Sequence, residues 1–186
     1  MTIHVMIDNE AMDTSPTAAL LQIGAVAFDP YLKGFDVNAN FKDCFEKNID
    51  LTSSLMLGCT IDQNTVEWWR KQDEKARASV YSGGKDIRLV LNDFVQWFKS
   101  LGKVEGVWSH GTYFDIAQLE FCFKKAGIEV PWKYAIVRDT RTVHWMAELA
   151  GWTKPTRVTE HTALVDATAQ ALDIQSALER LNVRPF

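Results

Sequence analysis

The sequence has no long apolar segment and no leader-like start. No apolar run approaches the roughly 20 residues that a helix needs to cross a membrane. The first ten residues contain neither a basic region nor a cleavable apolar stretch, so no signal peptide is expected. These absences predict a protein that does not associate with a membrane.

Cysteine is also scarce. The chain contains 3 cysteines, Cys44, Cys59 and Cys122, and they lie far apart in the sequence. An odd number without a Cys-x-x-Cys pair indicates neither a disulfide framework nor a structural zinc site. Reduced thiols in a cytoplasmic protein are the expected state.

An excess of basic residues is missing as well. Lysine and arginine total 20 against 24 aspartates and glutamates, which gives a formal net charge of -4. Proteins that hold nucleic acid by bulk electrostatics are usually basic. Any contact of this chain with nucleic acid must therefore be local or assisted by metal ions, and an exposed member of its 7 tryptophans could stack on bases.

The remaining composition is ordinary for a globular protein with a sizeable core. The chain has 186 residues, of which 47% are hydrophobic and 24% are charged. It contains no internal repeat, low-complexity tract or interdomain linker. We therefore expect a single domain over residues 1–186.

Hydrophobic periodicity predicts an alternation of strands and helices. Strands are expected at Ile3–Glu10, at Ala19–Phe28, within Phe35–Asn48, at Val104–Ser109 and at Tyr134–Val137. Helices are expected at Thr65–Gln72 (capped by Asp62), Ile87–Leu101, Phe114–Lys125, Thr140–Leu149 and Thr162–Leu181. Three early strands with short connections favour an antiparallel meander, and the later strand–helix–strand segments favour parallel pairing. The predicted fold class is α/β, with a mixed sheet of three antiparallel and two parallel strands flanked by helices.

The first strand ends in two carboxylates, Asp8 and Glu10. Residues i and i+2 of a strand point to the same face, so these acids would lie side by side. Like charges at close range ionise unwillingly unless a cation balances them. Oxygen ligands suit Mg²⁺ or Mn²⁺, which makes a metal site one interpretation of the pair. An acidic loop that begins where a strand ends is the other.

Two further acids and a histidine are candidates for the same site. Asp115 follows the strand at Val104–Ser109 and begins a helix, where it is either a fourth ligand beside Asp8 or an acid favoured by the helix dipole. Asp166 lies one turn into the last helix between small residues, which would let that helix pack closely against a sheet. His161 lies at the predicted start of the same helix, within about one turn of Asp166.

Four segments follow one another in a fixed order: Asp8-Asn9-Glu10, Leu21–Phe28, Phe114-Asp115 and His161–Ala167. The set resembles the DnaQ-like 3′–5′ exonucleases of the DEDDh type, which have a ribonuclease H-like fold. The His-x-Ala-Leu-x-Asp-Ala block is its most specific part. Thr65–Gln72 and Arg138–Thr142 are similar to a small phage and bacterial branch that includes exoribonucleases and exonuclease VIII-like proteins.

The resemblance implies hydrolysis of phosphodiester bonds at the 3′ ends of single-stranded RNA or DNA, or at 3′ overhangs, with release of nucleoside 5′-monophosphates. It implies two divalent ions, Mg²⁺ or Mn²⁺, one held by Asp8, Glu10 and Asp166 and the other by Asp8 and Asp115. His161 would act as general base, because histidine can exchange a proton near neutral pH. A homodimer is implied by the same analogy.

Substrate contacts are expected at Asn9, Trp69, Arg138, Arg141 and Arg157. Asn9 stands where many relatives have threonine, and Gly111-Thr112 stands where many have Asn-Ala. The basic residues, together with Lys154, form either a solvated surface or phosphate contacts.

Two neighbouring positions have more than one interpretation. Adjacent helical residues lie about 100° apart, so Trp68 and Trp69 cannot both face the core, and one is expected to be exposed and to stack on a base or a partner. Asp139 precedes a helix and is either an N-cap or a fifth acid of the site.

Three other functions fit parts of the pattern. A proofreading module inside a polymerase assembly would carry a docking segment, and none is expected after Phe186. A binding protein with an inactive nuclease fold would usually have lost an acid, and no acid is lost here. An endonuclease of the ribonuclease H type would not need His161 in its present context.

Overall fold

Five strands form one mixed sheet, with the strand that carries Asp8 and Glu10 at its centre. The computed structural model describes residues 2–32, 44–156 and 161–184. The strands are Ile3–Ala11 (β1), Leu20–Phe28 (β2), Cys44–Asn48 (β3), Val104–Ser109 (β4) and Val137–Asp139 (β5). Their order across the sheet is β3-β2-β1-β4-β5. Strands β1, β2 and β3 pair antiparallel, whereas β4 and β5 are parallel to β1. The predicted fold class is confirmed.

Seven helices are present in the described residues, and they cover both faces of the sheet. They are Leu51–Met56 (α1), Gln63–Lys71 (α2), Glu74–Tyr81 (α3), Ile87–Ser100 (α4), Asp115–Ala126 (α5), Thr140–Leu149 (α6) and Ala163–Arg180 (α7). A short 3-10 turn at Tyr134–Ile136 precedes β5. None of these helices is long and apolar enough to cross a membrane.

The two faces of β1 belong to different hydrophobic clusters. Val5 and Ile7 are fully buried in the main core with apolar residues of α4 and α5. Met6 faces the opposite side, where Ala167 and Ile174 of α7 lie. Because side chains alternate along a strand, the even-numbered residues of β1 point toward α7. Asp8 and Glu10 continue this even-numbered face.

The structure differs from the predicted elements at several places. Helices α1 and α3 were not expected, although each has an aspartate cap, Asp50 and Asp73. The last strand comprises Val137–Asp139 rather than Tyr134–Val137, because the apolar residues before it form the 3-10 turn. The beginning of the predicted strand within Phe35–Asn48 lies outside the described residues.

Candidate active site

The central strand extends beyond its parallel neighbour β4, so its two acids lie where β1 is paired with a strand on one side only. Pairing of β1 with β4 stops at Met6 and Trp108. Pairing with β2 continues, with Asp8 opposite Gly24 and Glu10 opposite Gln22. The carboxylates therefore lie on a strand that is fixed on one side only, and the space on its other side is filled by the start of α5.

Helix α7 approaches the sheet closely because Gly24 has no side chain. A Cβ atom on Gly24 would lie only 2.1 Å from the carbonyl carbon of Ala163. Residues directly opposite in a sheet point to the same face, so the helix start sits beside Asp8. The expectation that small residues let this helix pack against the sheet is confirmed by Ala163 and Ala167, which are fully buried.

The start of α7 is held by a side chain from β2. Thr162 precedes the helix but its hydroxyl makes no capping hydrogen bond. Instead the Ala163 N–H donates to Gln22 Oε1 at 2.8 Å, and Gln22 Nε2 donates to Asn48 Oδ1 at 2.7 Å. A glutamine thus fixes the helix start to two strands of the sheet, which sets the height of Asp166 above β1.

A second contact joins α7 to the central acid. Gln170 lies one helical turn after Asp166 and therefore on the same helix face. Its Nε2 donates a hydrogen bond of 2.7 Å to Asp8 Oδ1. This bond fixes one oxygen of the Asp8 carboxylate and leaves the other oxygen for another partner.

Asn9 holds Asp115 at the free edge of β1. The Asn9 N–H donates to Asp115 Oδ1 at 3.1 Å, and Asn9 Nδ2 donates to the Asp115 carbonyl oxygen at 2.8 Å. Both residues are buried. The start of α5 thereby takes the place that a neighbouring strand would occupy, and the predicted approach of Asp115 to Asp8 follows from it.

The His161 ring packs against two tryptophan side chains of α2. It meets the Trp68 ring edge to face, with centroids 4.9 Å apart, and the Trp69 ring at 6.5 Å. The backbone of His161 is left-handed, with φ 51°, which few residues other than glycine adopt. This conformation just before α7 turns the imidazole toward the acids.

These residues surround one cavity of about 630 Å³. Asp8, Glu10, Asp166 and His161 line it, together with the aromatic side chains of Trp68 and Phe114. The loop after β1 lines it as well. Gln118 of α5 fixes that loop by donating to the carbonyl oxygens of Asp13 and Ser15, at 3.4 and 3.2 Å.

The electrostatics of the cavity disfavour ionised carboxylates in the absence of a cation. Burial, with the charges of Asp115, Glu10 and Asp166, raises the pKa of Asp8 well above its usual range. Burial and the charges of Asp166 and Asp115 raise the pKa of Glu10 to about 8. Burial also raises the pKa of Asp115 to about 7, although the Asn9 N–H acts in the opposite direction. Buried carboxylates that repel one another and have raised pKa values form an environment that a divalent cation would stabilise.

Three of the cavity residues have the spacing of metal ligands. One ligand atom each from Glu10, His161 and Asp166 lies within 4.8 Å of the others. Asp8 lies near Asp115, Glu10 and Asp166, because the charges of all three raise its pKa. The donor set is therefore rich in carboxylate oxygen, the chemistry that Mg²⁺ and Mn²⁺ prefer.

Some predicted substrate residues lie elsewhere or have other partners. Trp69 lines the cavity but is only 2% exposed, and its Nε1 donates to the Ala11 carbonyl oxygen at 2.9 Å, so its main contacts anchor α2 to β1. Trp68 is the exposed member of the pair, at 41%. Arg138 Nη1 donates to the carbonyl oxygens of Ala135 and Val137 on the distant edge of the sheet.

The remaining candidates divide between a cap, an exposed cation and an undescribed position. Asp139 is the N-cap of α6, and its Oδ2 also accepts the Thr112 N–H at 2.9 Å. It therefore supports the loop that leads to Asp115 and does not line the cavity. Arg141 is exposed, and its guanidinium lies against Gly111 of that loop. Arg157 lies outside the described residues.

Sequence reasoning missed the residues that position the acids. Gly24 acts by lacking a side chain, and Gln22 acts by accepting a hydrogen bond from the start of α7. Gln170 acts by donating a hydrogen bond to Asp8. None of these residues belongs to a type that predicts a catalytic or metal-binding role. The spacing of four residues between Asp166 and Gln170 was a usable signal, because it places both on one helix face.

Sequence comparison gives this geometry a family. The profile of the 3′–5′ exoribonuclease Rv2179c-like domain matches residues 3–178. The chain belongs to the Rv2179c-like 3′–5′ exoribonuclease family. The resemblance to DnaQ-like exonucleases is thereby confirmed. The exodeoxyribonuclease of Enterobacteria phage T4 is 27% identical to this Rv2179c-like domain over 124 residues, which are 59% of this chain and 51% of the phage protein. The chain thus spans about half the length of that relative.

Solved structures agree with the fold of this Rv2179c-like domain. Cell-death related nuclease 4 (CRN-4) superposes with a TM-score of 0.61 at 16% identity, over 98% of this chain and 64% of that one. The nuclease domain of 3′hExo, a DEDDh family member bound to rAMP, gives 0.58 at 12% identity, over 95% and 92%. S. pombe Pop2p, in its Mg²⁺- and Mn²⁺-bound form, gives 0.53 at 15% identity, over 95% and 82%. These matches establish the ribonuclease H-like fold.

Proposed function

We propose that this protein is a metal-dependent 3′–5′ exonuclease. It removes nucleoside 5′-monophosphates from single-stranded RNA or DNA and from 3′ overhangs. The observation that carries the proposal is the convergence of Asp8, Glu10, Asp166 and His161 on one cavity of about 630 Å³. Membership of an exoribonuclease family supports the direction of attack.

Two divalent ions, Mg²⁺ or Mn²⁺, fit the donor set of this cavity. Asp8, Glu10 and Asp166 would hold one ion, and Asp8 with Asp115 would hold the other. The raised pKa values of Asp8, Glu10 and Asp115 support this assignment, because cations at those positions would remove the repulsion between the carboxylates. Such ions stabilise the charge that develops on the attacking and leaving oxygens during phosphodiester hydrolysis.

His161 accepts the proton of the attacking water at a ring nitrogen. Its ring lies next to Glu10 and Asp166, as the ligand-atom spacing of 4.8 Å or less requires. The edge-to-face contact with Trp68 limits how the ring can turn, so the nitrogen stays directed at the cavity. A positioned general base contributes about 10²–10⁴-fold to a rate.

Trp68 receives the terminal base, the stacking role that the sequence left open between Trp68 and Trp69. Trp68 is 41% exposed and lines the cavity, so one face of its indole is open to a ligand. Phe114 lines the cavity as well. Base–aromatic stacking is tolerant of sequence, which suits an enzyme that removes nucleotides one after another.

The family and the phage relative suggest different sugars. The family is named for exoribonucleases and the phage T4 relative is an exodeoxyribonuclease, so we include both polymers in the proposal. A cytoplasmic setting and a homodimer remain predictions from the sequence.

The test is digestion of labelled strands with Mg²⁺ or Mn²⁺. Linear single strands and 3′ overhangs of RNA and DNA should shorten from the 3′ end, with 5′-monophosphates as the product. Strands with a blocked 3′ end and circular single strands should survive. Cutting of the circle at a rate comparable with the linear form would instead support the endonuclease alternative.

A further inference from the structure

A second cleft lies next to the proposed active site, between α2 and α3. Its volume is about 440 Å³. Trp69 and Arg70 from α2 line one side, and Glu74, Arg77 and Tyr81 from α3 line the other. None of the functions assigned above uses this cleft.

Its two arginines are not neutralised by the fold. Lys103–Glu105 is the ion pair recorded within the described part of the chain, so neither Arg70 nor Arg77 is held in a salt bridge there. The Arg77 Nε atom is buried without a hydrogen-bond partner. Buried polar atoms in proteins are nearly always bonded, so the fold leaves the Arg77 guanidinium without the acceptor that it usually has.

The second cleft shares a wall with the catalytic cavity. Trp69 lines both spaces. Its ring centroid lies 6.5 Å from that of His161 on one side and 6.1 Å from that of Tyr81 on the other. An aromatic row thus leads from the proposed general base into the arginine cleft. Tyr81 is 46% exposed at the end of this row.

We propose that this cleft binds a nucleotide that precedes the 3′ end of the substrate strand, with the arginines on its phosphate and Tyr81 against its base. The proposal rests on the exonuclease function above. Proteins that track single strands combine a basic groove with aromatic platforms, and here both lie beside the cavity that receives the 3′ end. In a chain of net charge -4, such a local basic cleft supplies attraction that bulk charge does not.

Glu74 limits the affinity of this cleft. It lies in the first turn of α3 and lines the same cleft as the two arginines. A bound phosphate would be repelled by this carboxylate. Removing its charge should therefore tighten binding, in the direction opposite to removing an arginine.

The experiment compares an oligonucleotide with a substrate that has no preceding nucleotide. The long substrate is a labelled single-stranded 12-mer, in the polymer that the wild-type protein degrades faster. The short substrate is the p-nitrophenyl ester of a nucleoside 5′-monophosphate. The variants are Arg70→Gln, Arg77→Gln, Arg77→Lys and Glu74→Gln. Arg88→Gln is the control, because Arg88 is exposed on α4 and lines neither cavity.

We expect KM for the 12-mer to rise about five- to tenfold in Arg70→Gln and Arg77→Gln, with the ester unchanged. Each should also lower the slope of log(kcat/KM) against log salt by about 0.7, the value for one lost phosphate contact on a single strand. Arg77→Lys should keep the wild-type salt slope, Glu74→Gln should lower KM, and Arg88→Gln should do nothing.

Three results would overturn the proposal. Wild-type KM and salt slope in both arginine variants would show that the strand does not enter the cleft. Equal losses on the 12-mer and the ester would show that the arginines only support Trp69 and the fold. Equal effects from Arg88→Gln would show a non-specific charge effect. Failure of the exonuclease function itself is distinguishable, because wild-type protein would then hydrolyse neither substrate.

Discussion

The acids of the active site and its histidine are held in different ways. Asp8 and Glu10 are fixed by strand register, and Asp166 is fixed by a helix whose start is bonded to Gln22. His161 has a left-handed backbone and is positioned by contacts between rings. The acids therefore occupy places that the sheet determines, whereas the histidine depends on α2 and on one uncommon backbone conformation. This difference teaches that the positions of the proposed metal ligands and of the proposed general base can be altered separately.

The largest effect is expected when one of the four acids loses its charge. Asp8→Asn and Asp166→Asn should each lower activity by more than about a thousandfold, because a nearly isosteric amide cannot balance a divalent cation. Both variants should fold, as checked by circular dichroism and thermal melting. The control is Asp93→Asn on the exposed face of α4. Near-normal rates in either active-site variant at equal metal would contradict the assignment of these acids.

Substitution of the histidine should have a smaller effect than substitution of an acid. His161→Asn should lower kcat by about 10²–10⁴-fold, because the amide cannot serve as general base. Asparagine tolerates left-handed backbone, so the chain before α7 should keep its path. Metal binding, measured by calorimetry, should persist because the four carboxylates remain.

The pH–rate profile tests this role of His161 directly. A general base acts only when it has lost its proton, so the acidic limb of the wild-type profile should flatten in the variant. Wild-type turnover across the pH range would show that His161 is structural and serves only to pack against Trp68.

The hydrogen bond from Gln170 to Asp8 is the next target. Gln170→Leu should lower metal affinity or activity by about 10–100-fold, the usual effect of losing a group that orients a metal ligand. Gln175→Leu is the matched control, because Gln175 lies on the same helix and donates to the Asp29 carbonyl oxygen instead. Equal effects of both changes on metal affinity would show that α7 has merely been destabilised.

The smallest expected effect is on the stability of metal-free protein. The folded pKa of Glu10 is about 8, against an ordinary value of 4.5, so the native state holds a proton that the unfolded chain loses. The stability associated with that proton is present below about pH 4 and is lost as the pH rises toward 8. Glu10→Gln removes the titration. Its melting temperature should match wild type near pH 5 and exceed it by a few degrees at pH 8. A difference that is constant with pH would contradict this.

The positions of the acids were predicted well from the sequence, because local rules determine them. Alternation along β1 placed Asp8 and Glu10 on one face, and the small residues around Asp166 predicted close packing. The helix at Thr65–Gln72 with its Asp62 cap was found to within one or two residues, as Gln63–Lys71. These features depend on residues that are close in sequence.

The parts that were missed depend on contacts between distant residues. Trp68 and Trp69 have the same chemistry, and the one that is buried is known only from the fold, where Trp69 packs into the main core and its Nε1 donates to the Ala11 carbonyl oxygen. The short helix α1 has a polar sequence and gains its place through Ser54, which donates to the Leu20 carbonyl oxygen of β2. Tyr134, taken as part of a strand, is 90% exposed. No pattern within these segments carries that information.

The lack of a side chain at Gly24 controls how closely α7 approaches the sheet. Gly24 lies opposite Asp8, and a Cβ atom at this position would lie only 2.1 Å from the backbone of α7, so this residue sets the distance between the proposed ligands Asp8 and Asp166 on two different elements. A methyl group here would push α7 away from the sheet and displace Asp166, and metal sites are sensitive to shifts of a few tenths of an ångström. The spacing of the proposed ligands is therefore governed by a residue that is not itself a proposed ligand.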